Sequence, residues 1–325
     1  MKKIVYVTGC LGFIGAYVTE ACLRRGWYVI GVDKVTYAAQ PHRLIDFHCY
    51  GPNFKFIKED ICNLESLYDC DYVINTAAES HVDNSITNSD AFLHSNVNGV
   101  KHLLDLIRTK RLKMPTLLHF STDEVYGDIE SGSHTETDLL KPSNPYSATK
   151  AAADMLILAW ARTFKVPYVI VRPTNNYGVG QYVEKLIPKT CKCFHLESKV
   201  PLHNGGSPRR VWLHAQDTAD AVMTIIDAGV TNEIYNISGP EECFNIDIVK
   251  KVYALTFHPS TVDFNPDNDM DRLLEFCDFT YSRDGQDVRY SLDDSKLKKL
   301  GWKNQCSLDQ KLPEIVEYYK KNFVW

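Results

Sequence analysis

Two short stretches of the chain combine side chains that can do acid–base and redox chemistry. The first holds Thr122, Asp123 and Glu124, and the second holds Tyr146 and Lys150, four residues apart. A phenol near an ammonium can remove the proton of an alcohol while a hydride leaves for an acceptor. Two neighbouring carboxyls in a closed pocket separate their pKa values, so one can act as acid and the other as base. Together these groups could oxidise an alcohol and then expel a hydroxyl.

Local patterns indicate how these side chains are positioned. Asn144 and Pro145 predict a helix start, with a capping amide and a proline in the first turn, so that Tyr146 and Lys150 share one helix face. The acidic pair follows the apolar run 117–120, which predicts a strand. Taken alone, an Asp–Glu pair is usually a solvated turn, and a tyrosine four residues before a lysine is common by chance. The prediction therefore depends on the elements around them.

Short β-branched runs alternate with amphipathic stretches through the first half of the chain. This alternation predicts right-handed βαβ units and an α/β fold of the Rossmann type, with a doubly wound parallel sheet. Ligands of such sheets bind outside the carboxyl ends of the strands. The predicted strands cover residues 3–8, 28–33, 54–58, 72–76, 117–121 and 168–172.

A glycine-rich turn between the first strand and the first helix predicts a dinucleotide site. Gly9, Gly12 and Gly15 leave backbone N–H groups free to face a pyrophosphate, although a plain turn is the alternative. Asp33 ends the second strand, where its carboxylate can bind both ribose hydroxyls and would repel a 2′-phosphate, so NAD is favoured over NADP. The predicted cofactor residues here are Gly9, Gly12, Phe13, Ile14, Gly15, Asp33, Lys34, Thr36, Asp60, Ile61, Ala77 and Ala78; the segments 60–61 and 77–80 could instead be capped helix starts.

The regular alternation ends after Pro173, where glycine, proline and asparagine accumulate as far as Pro208. We expect a smaller, mixed α/β, substrate-binding lobe to begin there. A strand at 211–214, a helix at 217–228 and a strand at 233–238 are predicted to return to the main sheet. The predicted NAD-binding domain is therefore 1–173 plus about 211–238, and the substrate domain is 174–210 plus 239–325.

Composition excludes several classes of protein. The chain has 325 residues, 44% of them hydrophobic and 24% charged, as expected of a globular protein, and its net charge of -5 offers no basic surface for nucleic acid. No window approaches the roughly 20 apolar residues that span a bilayer, so we expect a soluble, cytoplasmic protein with no membrane partner. The 10 cysteines are scattered, without a zinc-type pair of Cys-x-x-Cys motifs, and predict reduced thiols and no metal site.

The sequence resembles the nucleotide-sugar branch of the extended short-chain dehydrogenase/reductase family, and most closely the nucleoside-diphosphate (NDP) glucose 4,6-dehydratases. The resemblance runs almost from end to end, and matches of this number and order are highly specific. They comprise residues 9–15, 77–83, 121–127, 146–150, 175–178, 184–188 and 283–290.

The resemblance implies a role for each reactive residue. Tyr146 deprotonates the C4 hydroxyl of glucose while NAD accepts the C4 hydride, and Thr122 bonds to that oxygen. Glu124 then removes the C5 proton and Asp123 protonates the departing C6 hydroxyl, after which the hydride returns to C6. The product is the 4-keto-6-deoxy sugar nucleotide of rhamnose or other deoxysugar biosynthesis.

The same resemblance extends the binding sites. Lys150 holds the nicotinamide ribose, and Ser95 and Asn176 lie near NAD. The implied substrate residues are Ser80, Thr122, Asn175, Glu184, Lys185, Leu186, Pro201, His203, Arg210, Asn245 and Arg283. A homodimer is also implied, through a bundle of helices at 91–108 and 145–163, although these faces could simply cover the sheet.

Three positions depart from the pattern of the family on the nucleotide side. Val179 stands where the family usually has a proline, and Val211 stands where it commonly has an acidic residue. Gln286 stands where the bacterial dTDP-glucose enzymes commonly have a histidine. Residues 52–56, 82–85 and 292–297 are more similar to the UDP-glucose dehydratase domains of eukaryotic rhamnose synthesis. We therefore expect UDP-glucose as substrate. The alternative, dTDP-glucose, stays open because uracil and thymine differ by one methyl group, which changes the binding free energy by only about 1 kcal/mol.

Two other functions remain open at this point. A nucleotide-sugar epimerase or decarboxylase of the same family needs Tyr146 and NAD but not the acidic pair. A catalytically silent NAD-binding regulator or scaffold would not need all of the reactive residues to be present together.

Overall fold

The strands of the chain divide between one large sheet and two small ones. The structure is a computed structural model, and it describes residues 2–110, 113–258, 266–282 and 287–322. Within these residues the strands are β1 (Ile4–Thr8), β2 (Tyr28–Asp33), β3 (Phe54–Lys58), β4 (Tyr72–Asn75), β5 (Thr116–Phe120), β6 (Tyr168–Pro173), β7 (Asn175–Tyr177), β8 (Val200–Pro201), β9 (Arg209–His214), β10 (Glu233–Ile237), β11 (Glu241–Phe244) and β12 (Cys277–Asp278).

The large sheet has seven parallel strands in the order β3-β2-β1-β4-β5-β6-β10. The chain runs outward from β1 to β3 and then crosses to β4 on the other side, so a switch point lies between β1 and β4. The predicted doubly wound α/β fold is confirmed. The crevice at this switch point is where the ligand of such a sheet binds.

The α-helices of the described residues cover both faces of the large sheet and build much of the second lobe. They are α1 (Phe13–Arg24), α2 (Arg43–His48), α3 (Val82–Thr87), α4 (Asp90–Phe92), α5 (Gly99–Arg108), α6 (Pro145–Phe164), α7 (Leu186–His195), α8 (Ala215–Asp227), α9 (Asn245–Phe257), α10 (Pro266–Glu275), α11 (Ser295–Lys298) and α12 (Leu308–Lys321). Side chains alternate along each strand. Val5 and Val7 therefore pack with α1 and α8 on one face, while Tyr6 packs with α5 and α6 on the other.

The second lobe has its own apolar core, in which Phe194, Tyr253 and Ile315 join α7, α9 and α12. Its small sheets have the orders β11-β9-β7 and β12-β8. The strand predicted at 211–214 is therefore not part of the large sheet, and only β10 returns there, beside β6. The partners of β9 account for the difference, because it pairs with β11 on one side and with β7 on the other. The exact domain boundaries stay a prediction.

Two smaller expectations can be compared with the described segments. No helix in them combines the length and the apolar character needed to cross a bilayer. All of the cysteines lie within these segments, and each is a free thiol, as predicted.

Candidate active site

A cavity of about 300 Å³ runs along the carboxyl edge of the large sheet, between β1, β4 and the second lobe. Every residue predicted to bind the cofactor lines it. These are Gly9, Gly12, Phe13, Ile14, Gly15, Asp33, Lys34, Thr36, Asp60, Ile61, Ala77, Ala78, Ser95, Tyr146, Lys150 and Asn176. The cavity therefore joins the glycine-rich turn to the predicted reactive residues.

The glycine-rich turn is shaped so that it has no room for side chains. A Cβ at Gly15 would lie 2.0 Å from Gly9 O, and one at Gly9 would lie 2.7 Å from Ala77 N. Gly9 also has φ +71°, a region that L residues rarely adopt. Helix α1 begins directly after this turn, at Phe13. The cradle and the helix N-terminus suit a pyrophosphate, so these residues fit NAD.

Asp33 holds the glycine-rich turn as well as facing the cavity. Its carboxylate accepts hydrogen bonds from Leu11 N (3.0 Å) and Val35 N (2.7 Å). Burial raises the pKa of this carboxyl. The side chain next to it, Lys34, lies 3.6 Å from Asp60 Oδ2 and 3.8 Å from Glu79 Oε1. The Lys34 charge is thus already balanced by carboxylates, which agrees with the prediction of NAD rather than a 2′-phosphorylated cofactor.

One group of possible metal ligands was not singled out from the sequence. The donor atoms of Asp60, Cys62 and His94 lie within 4.8 Å of one another. The spacing of cysteines does not reveal this group, because it contains only one cysteine. The ammonium of Lys34 already faces the same carboxylate of Asp60, and Asp60 itself lines the cofactor cavity.

The hydroxyl and the first carboxyl of the reactive stretch are joined directly. Thr122 follows β5 and its Oγ1 donates to Asp123 Oδ1 (3.0 Å). The other oxygen, Oδ2, is buried and has no hydrogen-bond partner among the described residues. Burial, with a further contribution from the negative charge of Glu124, raises the pKa of Asp123 to about 7. Asp123 is therefore able to carry a proton near neutral pH.

The second carboxyl is held from the start of the following helix. Asn144 caps α6 by accepting from Ser147 N (2.9 Å), and its Nδ2 donates to Glu124 Oε2 (3.3 Å). Burial raises the pKa of Glu124, but the charge of Arg210 and the bond from Asn144 act against that rise. The two adjacent carboxyls thus have different environments, as predicted.

Tyr146 and Lys150 lie on one face of α6 as predicted, but their electrostatics differ from the expectation. Burial raises the pKa of the Tyr146 phenol, the charges of Glu124 and Asp123 add to this, and a hydrogen bond with Thr122 opposes it. Lys150 does not lower the pKa of that phenol here. Its ammonium instead donates to Phe120 O (2.5 Å), and burial lowers the Lys150 pKa to about 8.

The predicted substrate residues fall into two groups. Ser80, Thr122, Asn175, Glu184 and Lys185 line the cavity. The others lie in the second lobe outside the cavity lining, and these are Leu186, Pro201, His203, Arg210 and Asn245. Arg283 and Gln286 lie outside the described residues.

The geometry explains how two of the basic side chains are held. Lys185 Nζ donates to Ser80 O (2.9 Å), which ties the second lobe to the loop after β4. The Arg210 guanidinium donates to Asp287 O (3.0 Å) and lies over the ring of Tyr290, 4.6 Å from its centroid. Both cations are therefore fixed near the reactive carboxyls.

An aromatic contact at the cavity mouth was missed by the sequence reading. The rings of Tyr37 and Tyr182 meet edge to face at 5.3 Å, and Tyr37 OH donates to Glu184 Oε2 (3.3 Å). The pair connects the loop after β2 with the second lobe, and Tyr182 lines the cavity. No local pattern signals such a contact, because its two partners are far apart in the chain.

Comparison with known proteins tests the predicted family. The family model described as GDP-mannose 4,6 dehydratase matches residues 6–315. The chain belongs to this family. It is 36% identical over 338 residues to a probable dTDP-glucose 4,6-dehydratase of Sinorhizobium fredii, covering 99% of this chain and 94% of that protein. It is 34% identical over 335 residues to a trifunctional UDP-glucose 4,6-dehydratase, epimerase and reductase of Arabidopsis thaliana, covering 99% of this chain and 48% of that protein.

A solved relative agrees with the fold and the cofactor. The dTDP-glucose 4,6-dehydratase DesIV of Streptomyces venezuelae, crystallised with NAD bound, superposes with a TM-score of 0.85 at 33% identity, covering 98% of this chain and 97% of that one. These relatives are named 4,6-dehydratases, which are hydro-lyases. The predicted family, fold, enzyme class and NAD cofactor are confirmed. The names of the relatives include both dTDP-glucose and UDP-glucose, so they leave the nucleotide open.

Proposed function

We propose that this protein dehydrates UDP-glucose to UDP-4-keto-6-deoxyglucose with NAD. One observation carries the reaction class: Thr122, Asp123, Glu124 and Tyr146 meet in a single cavity that continues into the glycine cradle. A redox cofactor site next to an acid and a base of different pKa supports oxidation followed by elimination.

In this proposal Tyr146 performs the first proton transfer. Its phenolate accepts the proton of the C4 hydroxyl, and a hydrogen bond from Thr122, whose hydroxyl would turn from Asp123 toward the phenolate, favours that ionised form. Lys150 holds the ribose next to the nicotinamide. When bound, NAD supplies the redox step, accepting the C4 hydride and later returning it to C6.

The acidic pair performs the elimination. Oxidation at C4 makes the C5 proton acidic, and Glu124 removes it. Asp123, with its pKa raised to about 7, protonates the hydroxyl that leaves C6. Overall, the C4 hydroxyl proton and the C6 hydroxyl depart as water, and C5 regains a proton as C6 receives the hydride.

The cations of the second lobe are proposed to bind the diphosphate. Lys185 lines the cavity. Arg210 lies outside that lining, and its guanidinium is a planar group of the kind that suits phosphate oxygens. Asn175, Asn245 and Arg283 complete the proposed set. The preference for UDP-glucose is supported by Gln286, which replaces a histidine common in the bacterial dTDP-glucose enzymes. Residues 52–56, 82–85 and 292–297 add support, because they are more similar to the UDP-glucose dehydratase domains of eukaryotic rhamnose synthesis.

A direct assay tests both levels of the proposal. Purified protein is incubated separately with UDP-glucose and dTDP-glucose, and the product mass is followed. We expect the loss of one water, with a higher kcat/KM for UDP-glucose. No loss of water from either substrate would refute the dehydratase, whereas a higher kcat/KM for dTDP-glucose would refute only the nucleotide preference. Full turnover by a Glu124→Gln variant would favour an epimerase or decarboxylase.

We also propose that the protein is a homodimer through α5 and α6. The two helices are tied by a hydrogen bond from Trp160 Nε1 to Asp105 Oδ1 (3.2 Å). Leu93, just before α5, is 47% exposed, and Met155 on α6 is 49% exposed. Light scattering should give a dimer mass for the native chain and a monomer mass for Met155→Glu. Leu139→Glu is the matched control, because Leu139 is exposed elsewhere; a native monomer would refute the proposal.

A further inference from the structure

Three polar side chains form a row across the interior of the large sheet. Thr8, Asn75 and His119 occupy neighbouring strands, and the register pairs Thr8 with Asn75 and Asn75 with His119. The row before them on the same face, Tyr6, Val73 and Leu117, belongs to the hydrophobic core. All three polar residues have 0% of their surface exposed. Buried polar groups are costly unless they are hydrogen-bonded, so this row needs an explanation.

The row is connected from end to end and finishes at Lys150. Thr8 Oγ1 lies 2.6 Å from Asn75 Oδ1, and Asn75 Nδ2 lies 3.0 Å from His119 Nδ1. The other ring nitrogen, His119 Nε2, lies 3.4 Å from Lys150 Nζ. Lys150 is the residue through which this row reaches the groups assigned to the reaction and to NAD.

The hydrogen bonds of the row can be completed in two ways. A neutral imidazole carries one proton. If Asn75 Nδ2 donates to Nδ1, that proton is on Nε2 and can be donated only to an unprotonated Lys150. If the Asn75 amide is turned over, its oxygen accepts from Nδ1–H, and Nε2 accepts from the Lys150 ammonium. The two ends of an amide have the same shape, so both arrangements fit the same space.

Burial, together with the surrounding charges, keeps the imidazole neutral. Burial lowers the pKa of His119 well below its ordinary value, and the cations of Lys150 and Arg172 add to this. Arg172 Nη2 lies 2.9 Å from Asp154 Oδ2, and Asp154 is the anion that favours the charged form of Lys150. His119 is therefore a neutral group that can either donate to Lys150 or accept from it.

We propose that His119, held by Asn75 and Thr8, is a positioning residue that keeps the Lys150 amine in place in both of its protonation states. The proposal rests on the proposed function in one respect, since it takes Lys150 to act on the cofactor ribose during the reaction. The Lys150 amine then keeps a partner in both states, because the tautomer with an unprotonated Nε2 accepts from the ammonium and the tautomer with Nε2–H donates to the neutral amine. Exchange between the two tautomers moves one proton from Nδ1 to Nε2 and leaves the imidazole neutral.

Two variants of the full-length protein separate positioning from simple packing. His119→Gln keeps a donor and an acceptor on a side chain of similar reach, whereas His119→Met keeps the length but offers no donor and only a weak acceptor. We expect kcat of the Met variant to fall about tenfold, the loss expected for one hydrogen bond to a charged group. The alkaline limb of its pH profile should move to lower pH, because the hydrogen bond to the charged ammonium is stronger than the one to the neutral amine and its loss lowers the Lys150 pKa. The Gln variant should keep most of kcat and the native profile.

A second measurement needs no sugar substrate. The dissociation constant of NAD is measured against pH on nucleotide-free protein, together with the melting temperature. We expect the Met variant to lose NAD affinity at lower pH than the native protein, with the Gln variant close to native. If the native protein dehydrates neither sugar but this shift is present, the proposed function fails and the positioning role stands.

Several outcomes would overturn the positioning role. One is a Met variant with the native pH profile and native NAD affinity. Another is equal loss in the Gln and Met variants while both keep the native melting temperature. If neither variant folds, Thr8→Val serves instead, since it removes only the far end of the row. It should shift both pH profiles in the same direction by a smaller amount, and unchanged profiles would refute the proposal.

Discussion

The cofactor end and the nucleotide end of the site are assembled in different ways. The cofactor end consists of successive turns that follow β1, β2, β3, β4 and β5 of one sheet. The predicted nucleotide end is drawn from α7, β8, β9 and α9 of the second lobe. Parallel strands deliver their carboxyl ends to one edge, so order along the chain predicts position in space. No such rule applies to the second lobe. Only some of the substrate-binding residues predicted there line the cavity.

The largest expected effect is at the glycine cradle. Gly15→Ala places a Cβ 2.0 Å from the backbone oxygen of Gly9, which cannot move aside cheaply. We expect the purified variant to carry no NAD and to have no activity, as judged by NAD released on denaturation. Gly132→Asn is the control, because Gly132 has open space and asparagine tolerates its positive φ. Normal NAD content in Gly15→Ala would contradict the assignment of the cofactor end.

The next largest effect is expected at Tyr146. Tyr146→Phe removes the group that accepts the C4 proton, so kcat should fall by about 10²- to 10⁴-fold. NAD content should stay close to native, because the glycine cradle is intact. The measurement compares product formation with bound NAD in the same preparation. A variant that turns over at the native rate would show that another group accepts this proton.

A smaller and pH-dependent effect is expected at Asp123. An acid must be protonated to act, and the pKa of Asp123 is raised to about 7, so water elimination should decline as pH rises through about 7. Asp123→Asn should slow elimination roughly 10²-fold. It should leave oxidation at C4 detectable as reduced cofactor. An elimination rate that does not vary across neutral pH would argue against Asp123 as the acid.

The smallest effect is expected at the nucleotide end. Arg210→Lys keeps the charge that faces Glu124 but loses the planar fork, so KM for the sugar nucleotide should rise about tenfold. Both kcat and NAD content should stay near native. A fall in kcat at unchanged KM would place Arg210 in the chemical step and would weaken the distinction between the two ends.

The sequence predicted the reactive centre better than its electrostatics. The helix rule placed Tyr146 and Lys150 on one face, and Asn144 was recognised as a cap. Its second bond, to Glu124, was not foreseen, because it joins the helix start to a different turn. The raised pKa of Tyr146 was missed for a related reason: Lys150 bonds to Phe120 O instead, and burial, with the charges of Glu124 and Asp123, raises the pKa of the phenol.

Sequence alone determined the α/β fold, the NAD cofactor and the family, and it predicted the members of the reactive set. It could do so because strand and helix periods, turn glycines and capping residues act over a few neighbouring positions. Tertiary structure decided which sheet contains β9 and which side chains of the second lobe line the cavity. It also decided which groups form hydrogen bonds with Glu124 and Lys150. It also brought Thr8, Asn75 and His119 into one row behind Lys150. Burial and pairing between distant strands set these features, and neither is encoded in a local pattern.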